Sequence, residues 1–299
     1  METENSTSTD FYILAFSSNN GNQFFLFLIF LLIYLMGVLG NLLMIIVIFA
    51  DVRLHSPMYI FLWNLSFIDL CYITVTLPKS ISLIQCFTQL YFFLSFACTE
   101  VILLSCMAYD RYIAIGYPLQ YHLIMSRSKC VLVLLAIWLC GCENSLFYTS
   151  FVSQVLLCHA RYIQQFYCDV KSIEKIACPN LTFYIIIHVE LLLLGFLPCI
   201  LSLMSYTKII CIILHMKSTS GKIKPFSTCS SHLTVLVTFY GTALWKYIRP
   251  PSSHPDAIDH LLSVLYTAVT PMLNPLIYSL RNKEVKRALL HVVGADTAK

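Results

Sequence analysis

The chain has 299 residues, of which 58% are hydrophobic and only 11% are charged. Soluble domains carry about a quarter of their residues as charged side chains, so most side chains here must face something other than water. The net charge of +4 is small and the basic residues form no single block, which argues against a nucleic-acid partner. A soluble chain of this length would contain roughly two domains, yet no polar linker separates two halves.

Seven apolar runs are long enough to span a bilayer, for which about 20 residues suffice. They cover residues 24–49, 57–77, 91–115, 131–151, 183–214, 226–247 and 258–280. The runs predict an all-α membrane protein, with a seven-transmembrane helix bundle over residues 24–280 of a single domain that spans 1–299. Residues 1–23 would form a tail. Residues 281–299 would form a short amphipathic helix on the membrane surface and a second tail.

The lysine and arginine residues indicate the orientation of the bundle. If the N-terminus is extracellular, 13 of the 19 basic residues fall in cytoplasmic segments and 6 in outer segments, and none precedes residue 24. The positive-inside rule therefore predicts an extracellular N-terminus and a cytoplasmic C-terminus. The first apolar run is too long for the core of a signal peptide and is expected to remain as a helix.

The predicted outer face carries a glycosylation signal and four cysteines. Asn5 begins the acceptor sequence Asn-Ser-Thr in the outer tail. Of the thirteen cysteines, Cys86, Cys158, Cys168 and Cys178 fall on this face, where an oxidising environment favours disulfides. The sequence by itself allows three pairings of these four residues.

Several polar residues interrupt the apolar runs. Asp69 and Glu100 lie in the middle of the second and third runs and should face the bundle interior. If the two carboxyl groups are close, either a cation lies between them or one is protonated, so a cation site and a plain hydrogen-bond network both remain open. Asn41 is expected to hydrogen-bond to a neighbouring helix. Glu190 interrupts the outer half of the fifth run, where an acid is costly to keep.

Asp110 and Arg111 form an adjacent acid and base at the end of the third run. The cost of a charge in the membrane falls near the water interface, which a long arginine side chain can reach. The pair could be a simple anchor at that interface. It is also well placed to be made and broken, as a conformational switch requires.

Six ordered motifs distinguish this chain from a generic helix bundle. They are GN at 40–41, LHSPMY at 54–59, MAYDRY at 107–112, KPFSTCSSH at 224–232, FYG at 239–241 and PMLNPLIY at 271–278. Together they resemble the signatures of odorant (olfactory) receptors, a branch of the rhodopsin-like class A G protein-coupled receptors. Gly116 stands where that family usually has Cys. Pro225 stands where it usually has Ala, and a proline is tolerated at a helix start.

The resemblance implies a function. It implies a receptor that binds small odorant molecules within the outer half of the bundle and activates a stimulatory heterotrimeric G protein that raises cyclic AMP. It implies a multi-pass protein of the plasma membrane in contact with lipid, expected in the cilia of olfactory sensory neurons.

The resemblance also assigns roles to individual residues. The ligand would contact a mostly apolar set: Phe93, Leu94, Ala97, Cys98, Glu190, Leu191, Leu194, Tyr240, Ala243, Leu244, Tyr247, Val264 and Thr267. Activation and G protein coupling would involve Asp110, Arg111, Tyr112, Tyr206, Asn274, Pro275 and Tyr278. Asp69, Glu100 and Asn274 resemble a sodium-binding polar core, and no other cofactor is implied. Among the disulfide pairings the resemblance selects Cys86–Cys168 and Cys158–Cys178.

Other classes of protein fit the sequence less well. The seventh run contains no lysine for a retinal Schiff base, which argues against an opsin. Phe93 stands where receptors for amines place an acid, although Glu190 could bind a cationic ligand instead. No inverted repeat indicates a transporter, and no nucleophile–base pair or metal-ligand spacing indicates an enzyme. A rhodopsin-like receptor for a non-odorant small molecule remains the alternative.

Overall fold

Helices follow the predicted apolar runs in the computed structural model, which describes residues 10–13, 20–76, 81–155, 162–163, 167–215, 219–248 and 263–292. The first part of the chain forms α1 (Asn20–Ala50), a 3-10 turn (Val52–Leu54), α2 (Pro57–Val75), α3 (Leu83–Gly116), α4 (Tyr121–Ile124) and α5 (Arg127–Ser153). The second part forms α6 (Val170–Ile176), α7 (Leu181–Glu190), α8 (Leu197–His215), α9 (Thr219–Ile248), α10 (Thr270–Arg281) and α11 (Lys283–Val292).

Five of the seven predicted spans are long and apolar enough to cross a membrane when only the described residues are considered. The fifth of them is continuous from Leu181 to His215 and contains both α7 and α8. The predicted sixth span, α9, is rich in serine, threonine and tyrosine, which lowers its mean hydropathy. The predicted seventh span begins at residue 258, and its first residues lie outside the described part of the chain.

Two π-helical segments interrupt the helices in the described part of the chain, and neither was predicted. They cover Leu191–Phe196, between α7 and α8, and Leu265–Val269, directly before α10. In each, the residue that precedes a proline donates its N–H to the carbonyl five residues back, from Leu197 to Leu192 and from Thr270 to Leu265. Since proline has no N–H to continue the regular ladder, a wider turn at these two places has a physical cause.

A second proline explains how the first helix is held to the last span. Pro275 lies inside α10 and cannot donate to the carbonyl of Pro271, four residues earlier. That carbonyl instead accepts a hydrogen bond from Asn41 Nδ2 at 2.9 Å, which confirms the predicted contact of Asn41 with a neighbouring helix. Gly40 leaves room for Pro275, because a Cβ atom at Gly40 would lie 2.9 Å from Pro275 Cγ.

The helix α3 is the packing centre, with contacts to α2, α5, α8 and α9. It lies close to α5 at Gly141, where a Cβ atom would approach Thr99 Oγ1 to 2.3 Å and the Ser95 carbonyl oxygen to 2.9 Å. Cys86 at one end of α3 forms a disulfide with Cys168, and we call this the disulfide end of the bundle. The opposite end carries Asp110 and Arg111 and is called the Asp110 end.

A small sheet at the disulfide end is an addition to the predicted all-α fold. The strand β1 (Asp10–Ile13) pairs antiparallel with β2 (Ile81–Ser82) and parallel with β3 (Tyr162–Ile163). The register places Asp10 opposite Ser82 and Tyr12 opposite Tyr162. Part of the segment predicted as a tail is therefore tied to two loops by backbone hydrogen bonds, a pairing between distant segments that residue patterns do not encode.

The C-terminal helix α11 contacts α1 and the 3-10 turn. Asn282 Oδ1 accepts hydrogen bonds from the Glu284 and Val285 amides, as an N-cap residue does. Tyr59 Oη, from the LHSPMY motif, donates to Glu284 Oε2 at 2.7 Å. Val285 and Ala288 are buried in the main core, so this face of α11 packs on the bundle. The position of this helix at the membrane surface stays a prediction.

The position of Pro225 differs from the prediction. The sequence suggested that Pro225 begins the sixth span, but α9 starts at Thr219, so this proline lies inside the helix. Its missing N–H therefore removes one regular backbone hydrogen bond from the second turn of α9.

Candidate ligand cavity and switch

A cavity between the helices lies toward the disulfide end of the bundle. Its volume is ≈ 150 Å³, a size at which an apolar protein cavity can bind a molecule such as benzene. Its walls come from α3, α5, α6, α7, α9 and both π-helical segments. The lining residues are Leu94, Ala97, Cys98, Val101, Tyr148, Val170, Ile187, Glu190, Leu191, Leu194, Gly195, Phe196, Phe239, Tyr240, Ala243, Leu244 and Tyr266.

The cavity brings together most of the residues predicted to contact a ligand. Nine of the thirteen predicted residues line it: Leu94, Ala97, Cys98, Glu190, Leu191, Leu194, Tyr240, Ala243 and Leu244. The sequence did not identify the other eight lining residues. Three of these unpredicted residues lie three or four positions from a predicted one on the same helix, so a stricter use of the 3.6-residue period could have found Val101, Ile187 and Phe239.

The other four predicted contacts are placed elsewhere. Phe93 is buried in an aromatic cluster, with its ring centroid 4.9 Å from that of Tyr167 and 5.1 Å from that of Tyr72. Thr267 donates its hydroxyl to the Ser263 carbonyl at 2.7 Å, and neither Thr267 nor Val264 lines the cavity. The side chain of Tyr247 lies outside the described residues.

Glu190 is the acidic residue of the cavity wall. It ends α7 and lies directly before the first π-helical segment. Asn144 on α5 donates its Nδ2 to Glu190 Oε1 at 2.8 Å. This bond joins two helices across the edge of the cavity and fixes the direction of the carboxylate, because one of its oxygens is already held.

The segment around Cys168, directly before α6, is fixed beside the cavity by two kinds of bond. The predicted Cys86–Cys168 disulfide is present, with Cα atoms 5.4 Å apart. Gln89 Oε1 accepts the Cys168 amide at 2.9 Å, and Gln89 Nε2 donates to the Val75 carbonyl at 2.7 Å. These contacts hold Val170, which lines the cavity, against α3. Cys158 and Asn5 lie outside the described residues, so the Cys158–Cys178 pair and the glycosylation of Asn5 stay predictions.

Polar groups form a second site in the centre of the bundle. Asn274 Nδ2 donates to Asp69 Oδ2 at 3.0 Å and to Asp69 Oδ1 at 3.3 Å. Glu100 is buried nearby, and its Oε1 has no hydrogen-bond partner among the described residues. No group of three or more His, Cys, Asp and Glu side chains suited to a metal occurs in the part of the chain that is described. A cation here would therefore rely on two carboxylates and an amide oxygen.

At the opposite end of α3, both carboxylate oxygens of Asp110 have bonding partners. Its Oδ2 accepts from Arg111 Nε at 2.9 Å and also forms an ion pair with Arg111 Nη2. Its Oδ1 accepts from Tyr121 Oη at 2.8 Å. Burial, and then the adjacent Asp110 carboxylate, raise the pKa of Tyr121 above its ordinary value, so the phenol keeps the proton that it donates. The sequence did not identify Tyr121 as a partner.

The helices α8 and α9 are joined by a buried hydrogen bond at the same end. Tyr206 Oη lies 2.8 Å from His232 Nδ1 and 3.4 Å from the Cys229 carbonyl. Tyr278 is also buried, and its hydroxyl has no hydrogen-bond partner among the described residues. Tyr112 lies at the edge of this region, with Lys208 Nζ 5.2 Å from its ring centroid. Of the predicted switch residues, Tyr206 and Tyr278 thus lie near Arg111, which is held by Asp110. Asn274 is placed at the Asp69 site, and Pro275 packs at Gly40 of α1.

Comparison with known proteins decides the family. The family model described as olfactory receptor matches residues 30–295. The chain belongs to the olfactory receptor family. Human Olfactory receptor 2L3 is 42% identical over 305 residues, which cover 98% of this chain and 97% of that protein. Olfactory receptor 1G1 of Gorilla gorilla gorilla is 43% identical with the same coverage, and Olfactory receptor 6B9 of Mus musculus is 39% identical over 99% of this chain and 97% of its own length.

Membership in the olfactory receptor family confirms the resemblance on which the sequence interpretation relied. Olfactory receptors are multi-pass membrane proteins with a seven-transmembrane bundle, and they are signalling receptors and not enzymes. The family implies odorant ligands and coupling to a G protein. The exposed apolar residues of α1, such as Leu32, Leu39 and Phe49, are then the expected lipid-facing surface of an olfactory receptor.

Proposed function

We propose that this receptor binds a small odorant in the cavity lined by α3, α7 and α9 and responds by activating a stimulatory G protein that raises cyclic AMP. The cavity supports the proposal, because it is apolar, carries few polar groups and lies beside the π-helical segment that leads into α8. The disulfide end would face the outside of the cell and the Asp110 end the cytoplasm, at the plasma membrane of olfactory cilia.

The signalling mechanism would be a population shift. The described arrangement is a closed one, in which Arg111 is paired with Asp110 and Tyr206 with His232. A ligand that binds an open arrangement tenfold better supplies about 1.4 kcal/mol toward it. Opening would release Arg111 and separate the ends of α8 and α9, which provides a surface for the G protein.

Filling the cavity should abolish the response. Ala243 lines the cavity, and Ala243→Phe is expected to remove agonist-evoked cyclic AMP for every odorant that activates the wild type, because the larger ring occupies the ligand volume. Cyclic AMP would be measured in cells that display both proteins at equal surface level. Val237→Phe, at a 65% exposed position of the same helix, is the matched control and should respond normally.

Three results would count against parts of this proposal. Unchanged potency of every agonist in Ala243→Phe would show that the ligand binds elsewhere. A response carried only by another class of G protein would contradict stimulatory coupling. Silence of the wild type toward a broad odorant panel, together with activation by a non-odorant small molecule, would favour the alternative receptor class.

We also propose that Asp69, Glu100 and Asn274 hold a sodium ion in the closed arrangement. Glu100 Oε1 has no hydrogen-bond partner among the described residues and lies beside the Asp69–Asn274 pair, which supports a fit. Bound sodium would stabilise the purified receptor, so exchange of sodium chloride for choline chloride should lower its Tm by a few degrees. Glu100→Gln should make the Tm insensitive to this exchange. A wild-type Tm that is equal in both salts would argue for a plain hydrogen-bond network.

A further inference from the structure

We propose that the cavity selects ligands with a positively charged amine group, for which Glu190 is the counter-ion. This inference rests on the proposed function and names the chemical class of ligand that the same cavity would take. It assigns Glu190 to the ammonium group, the tyrosine rings of the wall to its remaining faces, and the aliphatic part of the wall to the hydrocarbon portion of the ligand.

The charge of the wall is the first observation. Among the described residues that line the cavity, Glu190 is the one carboxylic acid, and none is lysine, arginine or histidine. His188, two positions earlier, is exposed and its Nδ1 lies 2.7 Å from the Tyr184 carbonyl. The ion pairs Arg53–Asp51 and Arg111–Asp110 do not involve Glu190.

The hydrogen bonding of Glu190 is the second observation. Asn144 satisfies Oε1, but an amide donates a hydrogen bond without supplying a charge. Oε2 receives no hydrogen bond from the described residues. A carboxylate in apolar surroundings is costly unless it is paired with an opposite charge. The cavity therefore leaves one carboxylate oxygen available to a donor that also carries positive charge, which an alkylammonium group provides.

The rest of the wall suits the remaining parts of such a ligand. Tyr148, Tyr240 and Tyr266 contribute aromatic rings, and a cation over an aromatic face is attracted by the ring quadrupole. Leu191, Leu194 and Leu244 offer an apolar surface for a short hydrocarbon chain or a single ring. The volume of ≈ 150 Å³ restricts that portion to about the size of a benzene ring.

A ligand series with constant carbon skeleton tests the charge requirement. Benzylamine, benzyl alcohol and benzaldehyde share one ring and differ in the head group, as do hexylamine, hexanol and hexanal. We expect the amines to activate the wild type at concentrations about tenfold or more below those of the matched neutral compounds. Glu190→Gln should raise the EC50 of the amines by about 30-fold or more, while the EC50 of the neutral compounds changes less than threefold.

Matched variants separate the role of the charge from effects on folding. Glu143→Gln makes the same chemical change at an exposed position of α5, next to Asn144, and should leave all potencies unchanged. Glu190→Asp keeps the charge and should keep the preference for amines even if surface display falls. Thermal stabilisation of the purified receptor by benzylamine supplies a readout that does not depend on a G protein.

The outcomes distinguish this inference from the proposed function. Stabilisation by benzylamine in the wild type and not in Glu190→Gln supports the inference. If no cyclic AMP response accompanies that stabilisation, the proposed coupling to a stimulatory G protein is contradicted and the amine site still stands. Activation by neutral odorants with no amine preference, or an equal loss of aldehyde and amine potency in Glu190→Gln, would overturn the inference and leave the odorant receptor function standing.

Discussion

Asp110→Asn is expected to raise ligand-independent signalling at least about tenfold, since a change of 1.4 kcal/mol in the balance of two states is a tenfold change in their ratio. The substitution keeps an oxygen that can accept from Tyr121 but removes the charge that pairs with Arg111. Breaking a buried ion pair by removing one partner costs more than this amount in many proteins. The lost ion pair destabilises the closed arrangement, so a larger fraction of the receptor adopts the open one. Basal cyclic AMP, compared at equal surface level of the two proteins, measures this shift.

Tyr121→Phe is the control for this effect. It removes one hydrogen bond to Asp110 and leaves the ion pair, so a loss of about 1 kcal/mol should raise basal signalling about fivefold. If Asp110→Asn reached the surface with unchanged basal activity, the ion pair of Asp110 with Arg111 would not stabilise the closed arrangement. A Tyr121→Phe protein more active than Asp110→Asn would lead to the same conclusion.

Cys168→Ser is expected to destabilise the receptor by about 2–5 kcal/mol, as the loss of a native disulfide commonly does. The disulfide closes a segment with a sequence separation of 82 between Cys86 and Cys168, and it holds Val170 in the cavity wall. The hydrogen bonds of Gln89 would then hold this loop without a covalent link. We expect strongly reduced surface display and a lower Tm in detergent.

Cys86→Ser and the double variant should be as unstable as Cys168→Ser, because each removes the same bond. Cys211→Ser, at a free and exposed cysteine of α8, should match the wild type. Normal surface display and Tm in the double variant would show that this disulfide does not stabilise the fold. A double variant that is much more stable than either single one would instead indicate damage by the unpaired thiol.

The sequence predicts the helices well because long apolar runs have few alternatives in a membrane. The sequence also predicts that Asp110 lies beside Arg111, because the two residues are consecutive and are close in any fold. It misses Tyr121 and His232 as partners, because these contacts depend on how α4 and α9 pack. The helical period predicts which side of a helix faces the cavity, but it does not predict which residues at the border of that side reach the ligand. Phe93 packs against Tyr167, which is distant in the sequence, while the adjacent Leu94 lines the cavity.

The two π-helical segments have a mechanical consequence. A π turn holds one residue more than an α turn, so its conversion to a regular turn would rotate everything beyond it by about 100° relative to everything before it. Both segments contribute to the cavity wall, through Leu191 and Leu194 on one side and Tyr266 on the other. A ligand in the cavity would therefore contact both π-helical segments, at which a helix can convert between a π turn and a regular turn and still remain a helix. Tyr206 and Tyr278, which flank Arg111, each follow one of these π-helical segments in the sequence. If a segment near the ligand gained or lost one residue per turn, the helix after it would rotate, and the tyrosine side chain on that helix would point in a different direction.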